Sequence, residues 1–115
     1  MTEDLNAFLP LTEPVFFTLL SLAPGPQHGY AIMKETAALS DGRVSLSTST
    51  LYTAIKRLLD QGLIARAPEA SGVENGRERK AYRLTGLGRR VLEAETVRLQ
   101  ALLAAARQSE AKSTS

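Results

Sequence analysis

The sequence predicts a mainly α-helical domain that carries a small β-hairpin and ends in one long helix. Apolar residues recur at helical spacing in four segments, and two short alternating segments flank a polar stretch that contains glycine. The chain has 115 residues, of which 43% are hydrophobic and 23% are charged. These values are ordinary for one globular domain, so we expect a single modest core rather than two.

The first two helices are bounded by clear start and stop signals. Thr12 is a good N-cap, and Pro14 falls in the first turn, where its missing N–H costs little. The Pro-Gly-Pro segment at 24–26 ends this helix. Apolar residues return at helical spacing over 30–37, and we expect the second helix to end near residues 40–42, which include a glycine.

A third helix is predicted over residues 48–61, after a segment made almost entirely of hydroxyl residues. Four apolar residues fall on one face of it: Leu51, Ile55, Leu58 and Leu59. Gly62 suits the C′ position that ends the helix. The opposite face is polar and basic, so the helix is expected to bury one side and present the other.

The order of helices, turn and hairpin is that of a winged helix-turn-helix. Two alternating segments, 63–67 and 79–84, predict strands joined by a polar loop over 68–76, and Thr85 then caps a final helix that reaches Arg107. The prediction divides the chain into an N-terminal arm (1–11), a winged helix-turn-helix domain (12–84), a C-terminal dimerisation helix (85–107) and a flexible tail (108–115).

The final helix is longer than the small domain before it needs, since a rise of about 1.5 Å per residue makes it more than ~30 Å long. One of its apolar rows has heptad spacing, and a domain of this size cannot cover so much apolar surface. We therefore predict that it pairs with a second copy of the chain. The predicted interface residues are Leu92, Leu99, Leu102, Leu103 and Ala106. The alternative is that this helix packs against the chain's own first helix.

The net charge is only +2, but the charges are unevenly distributed. Residues 1–42 include one basic and five acidic residues, whereas residues 43–90 include ten basic and four acidic residues. The middle of the chain is therefore cationic, which favours a polyanionic partner over a membrane or an acidic metabolite. Taken alone, such a charge run also suits a solvated surface.

Within this cationic region, the third helix has the features of a DNA recognition helix. Short hydroxyl side chains at its amino end allow close approach to base edges in a major groove about 12 Å wide. The hairpin adds an arm that can follow the DNA backbone or the minor groove. The predicted DNA contacts are Thr48, Ser49, Thr50, Tyr52, Thr53, Lys56 and Arg57 on the helix, with Arg77, Arg79 and Lys80 on the hairpin.

These residues also have plain structural interpretations. The hydroxyl run suits an N-capped loop, and Tyr52 suits a half-buried packing position. Lys56 and Asp60 are spaced for an i,i+4 ion pair on a solvated face. Arg89 and Arg90 lie in the first turn of the last helix, where the helix dipole disfavours cations. Their placement suggests either a partner anion or a structural pairing, and the sequence does not distinguish between the two.

The composition argues against several other classes of protein. The absence of cysteine and the single histidine, His28, exclude cysteine-ligated and multi-histidine metal sites, and no cofactor is predicted. Neither a phosphate-cradling glycine signature nor an evident pair of carboxylates indicates an enzyme. The longest apolar stretch, 15–23, is far shorter than the ~20 residues of a membrane span. Because the amino terminus is acidic rather than basic, we expect a cytoplasmic protein.

A set of ordered motifs lies within residues 12–95. They are HGY at 28–30, STSTLY at 47–52, GLI at 62–64 and RKAYRLT at 79–85, followed by Gly88. This set resembles the PadR family of transcriptional regulators. The resemblance implies a winged-helix homodimer, held by its carboxy-terminal helix, that represses by occupying an inverted-repeat operator and often responds to a small-molecule effector. It also implies that Tyr30 contacts the DNA backbone and that Arg79 and Lys80 belong to the wing.

The chain departs from the family pattern at specific points. Thr48 and Ser49 stand where relatives often have Pro-Gly, which adds side chains at the base-reading end of the helix. The absence of tryptophan removes an effector pocket built on stacked indoles, and the single carboxy-terminal helix resembles the short subgroup. A competing hypothesis is a winged-helix protein-interaction module with incidental DNA affinity. The hydroxyl-rich helix start argues against it, because protein interfaces usually centre on aromatic or apolar anchors.

Overall fold

The computed structural model describes residues 4–74 and 76–113, and within them the chain is mostly helical. The helices are α1 (Glu13–Ser21), α2 (Gly29–Leu39), α3 (Thr48–Asp60) and α4 (Gly86–Ser113). The strands are β1 (Gln27–His28), β2 (Ile64–Arg66), β3 (Gly72–Glu74), β4 (Arg77–Arg79) and β5 (Ala81–Leu84). This order confirms the predicted fold class, mainly α with a small β-hairpin wing and a long final helix.

The main sheet has three antiparallel strands, with β5 in the centre between β1 and β2. Ile64 pairs with Leu84, which confirms the predicted hairpin, and His28 pairs with Ala81 on the other side. Strand β1 therefore ties the start of α2 to the hairpin. Because β1 has two residues, it gives no alternating pattern, and the sequence did not predict it.

The prediction that residues 68–76 form a loop without strands was wrong. This segment contains β3, which pairs with β4. Ser71 closes the base of this second hairpin. Its hydroxyl donates to the Ala67 carbonyl oxygen at 3.0 Å and accepts from the Ala81 N–H at 2.9 Å. The Ala67 N–H donates to the Ala81 carbonyl oxygen at 2.8 Å. These bonds hold the two ends of the connection together, so the chain between them folds back as a hairpin.

The core lies where α1, α2 and α3 meet the three-stranded sheet and the first half of α4. Leu51, Ile55 and Leu58 are each at most 2% exposed, which confirms the predicted inner face of α3. Leu59 is half-buried at the edge of the same cluster. Burial of each large aliphatic side chain contributes roughly 1.5–3 kcal/mol, so this face holds α3 firmly against the body.

The segment before α1, predicted as an N-terminal arm, packs against the body. A short 3₁₀ turn at Leu5–Phe8 begins it, and the apolar side chains of Phe8, Leu9 and Leu11 pack against the core. The Leu11 N–H donates to Glu95 Oε2 on α4 at 2.7 Å. This segment therefore covers one side of the core and contacts the last helix.

Helix α4 starts from a junction with α3. Thr85 acts as the predicted cap, because its hydroxyl accepts from the Gly88 N–H at 3.0 Å. The same hydroxyl donates to the Gly62 carbonyl oxygen at 2.6 Å. Gly62 ends α3 with φ +75°, a left-handed conformation that glycine adopts without strain. One threonine thus joins the end of α3 to the start of α4.

The two halves of α4 have different environments. The first half packs against α1 and the N-terminal segment, so the alternative of packing against the chain's own first helix is correct for this half. Leu92 is 7% exposed and belongs to the core, so its assignment to a dimer interface was wrong. Beyond Glu95 the large apolar side chains are exposed. Heptad spacing placed Leu92 on the correct face of the helix, but it does not indicate what covers that face.

Helix α4 continues to Ser113, so the predicted end at Arg107 and the predicted flexible tail were wrong for residues 108–113. This segment has no apolar period, which is why the sequence was interpreted as a tail. Its glutamine, alanine, glutamate and lysine are good helix formers, and a helix that has already started propagates at little cost. Residues 114–115 lie outside the described part of the chain.

We expect Gly88→Ala to destabilise the fold by about 1–3 kcal/mol or more, because it forces an overpacked contact. A Cβ on Gly88 would overlap the Leu63 carbonyl oxygen, which belongs to backbone and cannot swing away. Gly86→Ala, in the same turn, is the matched control. Its Cβ would meet only the end of the flexible Arg90 side chain, at 3.2 Å. Urea denaturation of both variants is the measurement, and equal stabilities would contradict the assigned contact.

We also expect Glu95 to make stability depend on acidic pH. Hydrogen bonding from Arg98 lowers the pKa of Glu95 below the ordinary value of 4.5, and the Leu11 N–H adds to this, while burial opposes it. Since the pKa is lower in the folded state, the stabilisation is present above about pH 4.5 and is lost as the pH falls through the folded pKa. The stability difference between wild type and Glu95→Gln should therefore narrow under acid.

Urea denaturation from pH 7 to pH 3 measures this difference. Glu93→Gln is the control, since Glu93 is an exposed carboxylate on the same helix. A gap between wild type and Glu95→Gln that stays constant over this range would show that the Glu95 carboxylate does not stabilise the fold through its charge.

Candidate nucleic-acid interface

The amino end of α3 gathers several hydroxyl groups. Ser47 is the N-cap, and its Oγ accepts from the Thr50 N–H at 3.2 Å. The Ser47 hydroxyl also donates to Thr50 Oγ1 at 2.8 Å and lies 3.3 Å from Ser49 Oγ. The cap therefore both starts the helix and orders its neighbours, so that small polar groups stand at the helix end where N–H groups are unpaired.

The outward face of α3 carries all of the helix residues that the sequence singled out. Each is exposed, and the set is Thr48, Ser49, Thr50, Tyr52, Thr53, Lys56 and Arg57. Their spacing of three and four residues makes one continuous surface opposite the buried face. Tyr52 is 49% exposed, so its ring is partly covered while much of it faces solvent. The packing interpretation of Tyr52 and the surface interpretation are therefore both partly correct.

On one side of α3, a cleft of about 340 Å³ brings residues of β1, α2, α3 and β4 together. Its lining residues are His28, Gly29, Tyr30, Tyr52, Arg79 and Lys80. The Tyr52 hydroxyl can approach here because Gly29 has no side chain: a Cβ at that position would lie 2.8 Å from the hydroxyl oxygen. The cleft lies at the start of α2, where the helix dipole favours an anion.

Lys34 is a further cation on α2, beside the cleft residue Tyr30, that the sequence did not point to. Its Nζ lies 5.6 Å from the centre of the Tyr30 ring, one helical turn along α2. Both residues are exposed, and Tyr30 is 61% exposed. The i,i+4 spacing of the two residues was the available signal. It was overlooked because Lys34 lies in the acidic first third of the sequence.

A second cleft of about 590 Å³ lies against α3 beside α1. Its lining residues are Val15, Ser49, Thr50, Thr53, Ala54, Arg57 and Leu58. Helix α3 therefore stands between two clefts and is accessible along its length. An exposed helix face with open space on both sides is accessible to a DNA groove.

The hairpin residues lie close to α3. Arg79 is half-buried and Lys80 is exposed, and both reach the cleft beside Tyr52. The Arg77 side chain lies outside the described part of the structure. Arg66 on β2 is a further cation, with its guanidinium 6.0 Å from the centre of the Tyr82 ring. Burial raises the pKa of Tyr82, and the Arg66 charge opposes that rise, so the phenol is neutral at physiological pH.

His28 was expected at a helix start rather than as a metal ligand, and it lies on β1 immediately before α2. Its Nδ1 is buried and makes no hydrogen bond with the described residues. Among residues 4–74 and 76–113, no three histidine, cysteine, aspartate or glutamate side chains come together as metal ligands. In the same residues, no helix combines the length and hydropathy that crossing a membrane requires.

Comparison with known proteins places this geometry in a family. The model of the transcriptional regulator PadR-like family matches residues 18–94. A transcriptional regulator from Clostridium thermocellum has a similar structure, with a TM-score of 0.66 and 22% identity over 94% of this chain and 96% of that chain. A PadR family regulator from Clostridium difficile R20291 has a TM-score of 0.68 and 23% identity, over 84% and 97% of the two chains.

Bacillus subtilis PadR, whose structure was solved in complex with operator DNA, is also similar. The TM-score is 0.60 and the identity is 26%, over 70% of this chain and 45% of that one. No curated protein matches the sequence. The family and these neighbours are transcription regulators rather than enzymes. Since the family model matches well over half of the residues, the chain belongs to the PadR-like family of transcriptional regulators.

Proposed function

We propose that this protein binds duplex DNA sequence-specifically as a homodimer and represses transcription by occupying an inverted-repeat operator. The observation that carries the proposal is the exposed face of α3, on which hydroxyls and cations stand opposite the buried Leu51, Ile55 and Leu58. The operator complex of Bacillus subtilis PadR supports it by similarity. A small-molecule effector stays a prediction that rests on the family resemblance.

In this proposal, one part of the α3 surface contacts bases and the cleft beside Tyr52 contacts the DNA backbone. Ser49 and Thr53 face base edges in the major groove, where short hydroxyl side chains donate to and accept from bases. Thr48 and Thr50 flank them, and Lys56 and Arg57 add charge further along the helix. The cleft beside Tyr52 takes a backbone phosphate, with donors from Tyr30, Tyr52, Arg79 and Lys80 converging at the start of α2.

The proposed dimer uses the uncovered half of α4. At 3.6 residues per turn, four apolar residues beyond Glu95 continue the face that the core covers before it. They are Leu99, Leu102, Leu103 and Ala106, and the leucines are 40%, 56% and 50% exposed. A row of leucines left in water by a stable helix favours pairing with a second copy of the same row.

Selection of bound sequences from randomised duplexes tests the DNA proposal. We expect an enriched, roughly palindromic sequence, because two identical subunits read two half-sites. Contacts to about four phosphates per subunit give a slope of log K against log salt near −7 for the dimer. Lys56→Ala should weaken all sequences and flatten the slope by about one unit per subunit, whereas Thr53→Ala should change base preference at a cost of about 1–3 kcal/mol.

Arg107→Ala is the matched control for charge, since it removes one exposed cation from α4, away from the α3 surface. Its salt slope should equal that of wild type. The absence of an enriched sequence would contradict sequence-specific binding and would favour the protein-interaction alternative. Equal salt slopes for wild type, Lys56→Ala and Arg107→Ala would contradict the assigned phosphate contact of Lys56.

Leu103→Glu should convert the dimer to a monomer, because it places a charge in the proposed apolar seam. Sedimentation and circular dichroism should show half the mass with an intact fold, and operator affinity should fall because a monomer binds one half-site. Gln100→Glu, an exposed polar position on the same helix, is the control and should remain dimeric. A dimeric Leu103→Glu variant would show that the interface is elsewhere.

A further inference from the structure

The point where α4 leaves the body is marked by a buried carboxylate. Glu95 is 1% exposed and is the last fully buried residue of α4 in the described chain. From Thr96 to Lys112 the residues are exposed, apart from the half-buried Arg98. The packing of the first half of α4 sets the direction in which the uncovered part projects, and the contacts of Glu95 are the last part of that packing.

Glu95 is held by donors from two parts of the chain. The Leu11 N–H donates to Oε2 at 2.7 Å, Arg98 Nη2 donates to the same oxygen at 3.2 Å, and Arg98 Nε donates to Oε1. Burying an ionised carboxylate is costly unless such partners are present. These bonds are directional, whereas an apolar side chain at this position would slide against its neighbours. The contact therefore fixes an angle as well as a distance.

The partner of Glu95 is itself firmly placed. The side chains of Phe8, Leu9 and Leu11 pack against the core, so the Leu11 N–H cannot follow a moving helix. Directly after it, Thr12 caps α1 by accepting from the Val15 N–H. Glu95 thus joins α4 to the start of α1, across 84 residues of sequence.

We infer that Glu95 and Arg98 are positioning residues that fix the angle of α4 and thereby the separation of the two recognition helices in the dimer. This inference rests on the proposed function. Residues 95–113 form a lever about 27 Å long, so a change of about 10° moves its far end by roughly 5 Å. Half-sites on DNA lie about one helical turn apart, roughly 34 Å, so such a displacement misplaces one subunit against its half-site.

The separation can be measured directly, because the chain has no cysteine and one introduced cysteine carries a single spin label per protomer. Asp60→Cys places the label on the exposed end of α3. Electron–electron dipolar spectroscopy of the labelled, full-length protein should give one narrow distance between protomers. In Glu95→Gln and Arg98→Gln the distribution should broaden or its centre should shift by about 5 Å. Arg98→Lys keeps the positive charge but loses the planar guanidinium, so its distance distribution should lie between those of wild type and Arg98→Gln.

Ile32→Val is the control for general loss of stability, since it trims a fully buried side chain on α2 and leaves the Glu95 contacts intact. Its distance distribution should match that of wild type. A second measurement uses a series of duplexes in which the spacing of the selected half-sites changes by single base pairs. Wild type should bind one spacing most tightly. In Glu95→Gln the ratio of affinities between the best spacing and the others should fall about tenfold, because a stiff connection has become looser.

The outcomes separate the two proposals. A dimer whose distances and spacing preference are unchanged in Glu95→Gln and Arg98→Gln overturns the positioning role and leaves the proposed function intact. A wild-type protein that gives no dipolar signal is a monomer, which overturns the proposed dimer and this inference with it. A broadened distribution in Ile32→Val overturns the specific role of Glu95, because the effect then follows stability alone.

Discussion

The one-sided burial of α3 is the constraint on which the rest of the molecule depends. Burial of Leu51, Ile55 and Leu58 contributes several kcal/mol, about as much as the whole net stability of a small domain. Rotation of the helix about its axis would expose them, so the rotation is fixed. The residues between these apolar positions then form the outward face of α3, and they carry hydroxyl groups and positive charges. The candidate interface follows from the core.

Close backbone approaches convert this fixed helix into a fixed site. Gly62 ends α3, Thr85 bonds to its carbonyl oxygen, and Gly88 lets α4 lie directly against the Leu63 carbonyl. At the other end of the surface, Gly29 allows the Tyr52 hydroxyl to reach the start of α2. Neither arrangement leaves room for a side chain. The separation between the end of α3 and the start of α4 is therefore set by backbone atoms at Gly88, whereas at Gly29 the close approach is made by the Tyr52 side chain.

What the sequence predicted well was decided locally. The caps at Thr12 and Thr85 and the inner face of α3 were predicted because period, cap and turn signals lie within a few residues of each other. What it missed depends on distant partners or on very short elements. Strand β1 has two residues, and the carboxylate of Glu95 has as its partner a backbone N–H 84 residues away. No pattern around a glutamate indicates that it is buried, and charged residues are seldom fully buried.

The error at Leu92 shows a second limit, which concerns what covers an apolar face. Leu92 and Leu99 lie on the same face of α4, one against the core and the other in solvent, and their sequence spacing is that of one heptad. The pattern specified the face correctly in both cases. Which part belongs to the body depends on where the N-terminal segment ends in space, and the Glu95–Leu11 contact marks that place. The residue at which α4 leaves the domain is therefore determined by tertiary contacts. It lies about three turns inside α4 rather than at the cap residue.

A stiff lever and a flexible linker have different consequences for a two-headed DNA reader. A flexible connection raises the effective concentration of the second head over a range of spacings, so affinity is gained with little discrimination between operators. A stiff connection gives the same gain in affinity at one half-site spacing only. At other spacings the protein or the DNA must bend, which costs energy. The exposed half of α4 is helical to Ser113, and at its base Glu95 accepts from the Leu11 N–H of the body and from Arg98 on the same helix. In the proposed dimer, this stiff connection adds specificity to the few base contacts that the short hydroxyls of α3 make.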